Sequence, residues 1–217
     1  MKYITTFANH SAYNSAKAGL ALPNVSHCVQ ENEVHYAPAT PPAPQHEYVD
    51  LGLPSGTLWA TMNVGANSVT DYGNYYKYGM GSKTYDSTDT PYAGTENPLA
   101  ATADTATVEW GSDWHMPTQA QLNELTANTT YQWVTNYQGS GVNGGTFTAN
   151  GQTLFIPAAG FYFNGSLSYI GEGGNIWSST PDGSSGAYGL GFDHVGSGMG
   201  SGGRDDGGSV RPVKDGE

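Results

Sequence analysis

The chain has little cysteine and little positive charge. Cys28 is the only cysteine in 217 residues, so no intrachain disulfide can form and a cysteine-rich metal site is excluded. Lysine and arginine number 7 against 19 acidic residues, and the formal net charge is -12. A field of that sign repels phosphate backbones, and the few cations are scattered rather than gathered into a patch. Nucleic-acid binding is therefore not expected. No window approaches the roughly 18 apolar residues of a membrane-spanning helix, so no membrane insertion is expected either. The opening MKYITTFANHSAYNSAKAGLALP has no basic start followed by a long apolar run, and so does not read as a secretory signal peptide.

Glycine and tyrosine, by contrast, are plentiful, at 31 and 15 residues, while only 12% of positions are charged. That balance suits a β-rich, loop-rich chain with little helix, and the length suits one good-sized domain with an appendage. Residues 1–36 read as a small attachment or assembly unit. Within it, 11–18 suit one or two helical turns ending at Gly19, and 24–30 pair with 33–36 as a hairpin across Glu31 and Asn32. A lone hairpin is marginal in water, so the unit is expected to pack on the main domain, a second copy or a larger assembly. The proline-dense run 37–46, APATPPAPQH, is an extended linker.

From residue 47 to 217 the pattern is that of one domain. Strands are expected at 48–51 and 57–63, joined by a turn at Pro54, Ser55 and Gly56. Residues 71–81 are aromatic and punctuated by glycine, and 82–107 read as a long excursion with little regular structure. Thr118 is positioned to cap a short helix with Leu122 and Leu125 on one face and Glu124 outward. Strands follow at 132–135, 146–149 and 153–156, the last two joined by Asn150-Gly151, a pair suited to a type I′ turn.

The stretch 175–213, NIWSSTPDGSSGAYGLGFDHVGSGMGSGGRDDGGSVRPV, mixes bulky anchors with Gly, Ser, Asp and His. The anchors are Ile176, Trp177, Tyr188, Leu190, Phe192, Val195, Met199, Val210 and Val213. If Leu190 and Phe192 point into a core, the pleat sends Gly189, Gly191 and Asp193 to a second face that is free to vary.

The blocks EYVDLGLPSGTLWATMNVGA, WGSDWHMPTQAQLNEL, LFIPAAGF, WSST and SVRPV, in that order over residues 47–213, resemble the major paralogous domain of gut bacteria and their phages. That family is similar to the formylglycine-generating-enzyme branch of the C-type-lectin-like fold. The resemblance implies an α/β domain of short antiparallel sheets, one or two helices and much irregular loop, with paired terminal strands. It extends to variable proteins of diversity-generating retroelements, in which template adenines are randomised into the C-terminal part of the fold. Altering the first two bases of an asparagine codon gives Ser, Asp, Gly, His or Tyr, the residues that fill the gaps between anchors. The resemblance thus implies contact positions at Asp182, Ser184, Ser185, Tyr188, Gly189, Gly191, Asp193, His194, Ser197, Ser201, Asp205 and Asp206. Trp177, Leu190, Phe192, Val210 and Pro212 would be framework.

Catalysis has little support in the residues. The family's enzymes work through cysteines, and none lies beyond residue 47. His115 sits in a block that reads as structural, and Asp193 and His194, being adjacent in a strand, point to opposite faces. Asp205 and Asp206 suit a solvated loop, with calcium as the one cofactor they could hold and Arg204 beside them as a neutralising charge. A binding module fits better: large rigid aromatics with small adaptable polar residues divide the work as in antibody paratopes. Tyr162, Phe163, Tyr169, Tyr188 and His194 are the candidate aromatic contacts. The expectation is a non-catalytic receptor-binding protein, phage-tail or virion-associated, facing a host-surface protein or glycan, with oligomerisation or virion assembly through the N-terminal unit. A bacterial surface or pilus-tip adhesin and an enzyme on the same fold are the alternatives.

Overall fold

The computed structural model describes residues 4–6, 27–30, 33–36 and 46–216. The chain divides between Gln45 and His46 into two compact units. In the first, β1 (Ile4–Thr6), β2 (His27–Gln30) and β3 (Glu33–Tyr36) form an antiparallel sheet in the order β1-β3-β2. The expected hairpin is present, with Val29 opposite Val34, and β1 adds a third strand that the sequence reading missed. The turns expected at 11–18 and most of the linker at 37–46 lie outside the described residues. His46, read as the end of that linker, belongs to the second unit, where its ring stacks on Trp110 at 3.6 Å.

The second unit is α/β, built mostly of short antiparallel sheets with two helices among the described residues. Strands β4 (Tyr48–Asp50) and β5 (Leu58–Ala60) form the expected hairpin, and the C-terminal β16 (Val213–Lys214) pairs with β5, Val213 opposite Trp59. The run 82–107 is largely irregular, with one correction. Asp104 starts helix α1 (Thr105–Trp110) by accepting the Thr107 N–H at 2.9 Å. This Asp-x-x-Thr cap precedes a helix too short to show apolar periodicity. Helix α2 (Gln119–Asn128) carries the expected Thr118 cap, completed by Gln121 into a capping box, and buries Leu122 and Leu125. Strand β6 (Tyr76–Lys77) pairs with β15 (Gly207–Gly208), and strands β7 (Thr130–Val134), β8 (Gly144–Ala149) and β9 (Gln152–Pro157) make one sheet. Asn150 and Gly151 turn between the last two with φ of 50° and 78°, as a type I′ turn requires.

A central sheet of β12 (Gly173–Asp182), β13 (Gly186–Asp193) and β14 (Ser197–Gly203) organises the rest. Adjacent residues of β12 serve different cores. Ile176 joins Leu190, Phe192, Trp59, Leu122 and Phe147 on one side. Trp177 joins Ala187, Val210, Tyr76, Tyr78 and Met116 on the other, its indole N–H donating to the Tyr76 carbonyl at 2.9 Å. Both faces of much of this sheet are therefore buried, which explains why its apolar positions do not simply alternate. The expected framework residues Trp177, Leu190, Phe192, Val210 and Pro212 are all buried.

Val195 is a correction. Expected as an anchor, it is 82% exposed, because it occupies the tip of the β13–β14 turn. Gly189 is another. It was expected on a free face, yet a Cβ there would lie 2.9 Å from both Asn175 Oδ1 and the Ile176 carbonyl, and 3.6 Å from the Trp177 ring. The second core closes over that part of the sheet.

Among the described residues, no helix is long and apolar enough to cross a membrane.

Candidate functional site

An open groove of about 910 Å³ lies where the β13–β14 turn meets the loop following β11 (Ser166–Ser168). Trp133 from β7, Phe161 from β10 (Phe161–Phe163), Tyr169 and Val195 supply its apolar walls. Gly191, Gly196 and Gly198 expose backbone along it, the buried Gly173 and Gly174 form part of its floor, and Glu172 and Asp193 supply carboxylates. Phe161 and Tyr169 stack at 5.3 Å. Tyr169 is 58% exposed and holds a left-handed φ of 62°, a conformation unfavourable for an aromatic residue. Its carbonyl accepts the N–H groups of Glu172 and Gly173, both at 3.0 Å, which fixes that turn. Strain of this kind clusters at ligand-binding sites.

Asp193 shapes the opposite rim. Its Oδ1 accepts the N–H of Val195 at 2.7 Å and of Gly196 at 3.2 Å, while its own N–H donates to the Gly196 carbonyl at 2.9 Å. One carboxylate oxygen thus folds the turn that presents His194 and Val195 to solvent. The Tyr131 hydroxyl donates to the Asp193 carbonyl at 2.6 Å and ties this rim to β7. Burial, then the Asp193 charge, pushes the Tyr131 pKa up to about 12, so the phenol stays protonated as a donor.

Of the contact positions expected from sequence, Gly191, Asp193, His194 and Ser197 meet in this groove. Asp182, Ser184 and Ser185 form the β12–β13 turn at the far end of β13, about 24 Å away at the rise of an extended strand. Asp205 and Asp206 follow β14 at that same far end, where Gly203 pairs with Gly186. Tyr188 and Ser201 face each other partway along the sheet, with Tyr188 half-buried. The pleat of β10 separates neighbours. Phe161 enters the groove, whereas Tyr162 stacks on Tyr85 at 4.1 Å and meets Tyr75 edge-on at 5.3 Å. Phe163, at the end of β10, is 54% exposed. Trp133, Phe161 and Glu172 escaped the sequence reading because they come from separate elements and no local pattern joins them.

Arg204 does not neutralise its acidic neighbours. It is buried and donates to the carbonyls of Gly183, Gly186, Tyr92 and Gly94 at 2.9, 3.0, 3.0 and 2.7 Å. Its planar fork pins the β12–β13 turn to the loop around Tyr92. Asp206 accepts the Gly203 N–H at 3.1 Å, and burial pushes its pKa up. No cluster of three or more His, Cys, Asp or Glu residues suited to a metal occurs among the described residues.

A second cavity of about 400 Å³ contains Asp104, His115 and Asp215. Burial pushes up the Asp104 pKa, but its oxygens are taken by the backbone N–H groups of Thr107 and Met116. His115 Nδ1 lies 3.0 Å from the Met116 carbonyl, and the His115 backbone pairs in both directions with Val213 at 2.9 Å. These bonds join α1, the segment before α2 and the C-terminal strand, so the cluster has a structural task. Compared with family models, curated proteins and solved structures, the chain finds no match.

Proposed function

We propose that this chain is a non-catalytic binding protein whose contact surface is the groove between the β13–β14 turn and the Tyr169 loop. The carrying observation is the convergence there of stacked aromatics, one in a strained backbone conformation, with glycine backbone and two carboxylates. Aromatic walls give contact area at low entropic cost, and exposed peptide groups and carboxylates give orientation. Gly191, Asp193, His194 and Ser197 lie at a surface where side chains can change without entering either core.

The resemblance to the C-type-lectin-like variable proteins of diversity-generating retroelements supports a sequence-variable, displayed receptor-binding role, phage-tail-associated or at a bacterial surface. Its ligand is a host-surface protein or glycan. The full chain, as monomer and as an avidity-enhanced multimer, should be arrayed against host-surface proteins and glycans beside Trp133→Ala/Tyr169→Ala. The expected result is loss of binding in that variant while unfolding stays cooperative, at reduced stability because Trp133 also packs against the first core. Undiminished binding would place the contact surface elsewhere.

A further inference from the structure

The central sheet has two edges, and the chain treats them differently. Along β12, Ser209 closes the edge: the Trp177 N–H donates to its carbonyl and its own N–H donates to the Asn175 carbonyl, both at 3.0 Å. Along the seven-residue β14, no described residue pairs with the outer side. The direction of its bonds follows from the register. Asp193 N–H donates to the Gly196 carbonyl and Arg204 N–H to the Ser185 carbonyl, both at 2.9 Å. Gly198, Gly200 and Gly202, in phase with these, therefore turn their peptide groups toward β13. Ser197, Met199 and Ser201 turn theirs outward. Their N–H and C=O groups form an unfilled row with no lysine, proline or bulge to discourage pairing, the devices by which edges are usually blunted.

We infer that this edge accepts an extended, basic segment of a partner protein as a fourth strand of the sheet. This deepens the binding reading above and rests on it, by naming the partner as a peptide segment. The surface beside the edge suits that occupant. A Cβ at Gly198 or Gly200 would meet nothing within 4 Å, and at Gly191 only the Gly198 carbonyl at 3.9 Å, so side chains of an added strand can lie flat there. Acids lie at both ends of the edge, Asp193 in the turn before it, one strand inward, and Asp205 and Asp206 in the turn after it, while the nearby Arg204 is buried and engaged by four carbonyls. Charge therefore favours lysine or arginine at the ends of the incoming strand. The same charges disfavour a second copy. The twofold antiparallel pairing that uses all the free groups sets Met199 on Met199 and Ser197 on Ser201, and it then brings Asp205 of each copy toward the β13–β14 turn of the other, which the Asp193 carboxylate closes. Main-chain bonds supply affinity in this mode and side-chain pockets supply selectivity, with the groove beginning at Ser197 where the edge starts.

The test is amide hydrogen exchange on the full chain, with and without a synthetic peptide of alternating threonine and valine carrying paired lysines at both ends. The Ser197, Met199 and Ser201 amides should exchange rapidly in the free protein and slow when the peptide is added. Methylating alternate peptide nitrogens should weaken binding about tenfold or more, because it removes ladder bonds without touching the protein. Ser201→Pro, at an edge position whose N–H faces outward, should weaken it similarly while unfolding stays cooperative. Peptide binding that is indifferent to methylation, or equal for a peptide with glutamate at its ends, would overturn the inference. So would amides already slow in the free protein together with a dimer in sedimentation, which would make a second copy the occupant. Groove-dependent binding on the host array with no slowing of the edge amides would overturn the edge alone. Silence in both experiments would overturn the groove reading as well.

Discussion

At the scale of single residues, scaffold and contact positions differ by whether a side chain meets packed atoms. Leu190→Ala or Phe192→Ala should each cost about 2–5 kcal/mol in denaturant unfolding, since both are buried in the first core. Ser184→Ala, at an exposed turn, should stay within about 0.5 kcal/mol. Equal losses at both kinds of site would contradict the separation. Glycines give a finer contrast. Gly189→Tyr should fail to fold, because Asn175, Ile176 and Trp177 already fill the space, whereas Gly198→Tyr should be tolerated. Thermal melts of the two variants decide it. Tyr131→Phe removes the hydroxyl donation to the Asp193 carbonyl and should cost about 0.5–1.5 kcal/mol. Exchange of the Val195 and Gly196 amides should rise with it, and an unchanged rate would mean that the rim does not depend on this bond.

At the scale of elements, the sequence was most legible where one local rule governs a short span. The Thr118 cap, the Asn150-Gly151 turn and the pairing of 48–50 with 58–60 each depend on residues close in the chain, and each is present. The two-sided burial of β12 and β13 was not legible. Alternation reports one buried face, and here Ile176 and Trp177 serve separate cores assembled from distant segments. Four of the expected contact positions share the groove with the expected aromatic Tyr169, but its other walls could not be read because Trp133 and Phe161 join them only through the tertiary arrangement. Arg204 shows the same limit: Asp205 and Asp206 beside it in sequence suggested an ion pair, whereas its guanidinium reaches four carbonyls from two other loops. Arg204→Lys should therefore not restore what Arg204→Ala loses, because an ammonium cannot span that fork. Matching unfolding midpoints for the lysine variant and the unmodified chain would refute the pinning role.

At the scale of the whole molecule, buried ionisable groups set an alkaline limit. Burial pushes Tyr75 and Tyr131 up to about 12, and Tyr78 upward as well. A folded-state value above the ordinary phenol value of about 10 contributes stability fully below that pH, and the contribution is lost as pH rises toward 12. Arg211 acts in the opposite sense. Complete burial lowers its pKa to about 9, so its cost is present at neutral pH and eases above 9. With Tyr76, Tyr85 and Tyr92 also raised by burial, six phenols oppose one guanidinium, and stability should fall between about pH 10 and 12, with phenolate absorbance rising together with unfolding. Phenolate formation in a chain that stays folded would contradict this. The central claim, that a rigid two-core scaffold carries an exchangeable binding rim, is tested most directly by a displayed library randomised at Gly191, His194, Val195 and Ser197, with Asp193 kept to close the turn. It should be sorted for protease resistance and then for binding to bacterial cells of differing surfaces. The account predicts that most members resist proteolysis like the parent and that different cells recover different rim sequences. Widespread loss of resistance, or the same sequences recovered from every cell type, would contradict it.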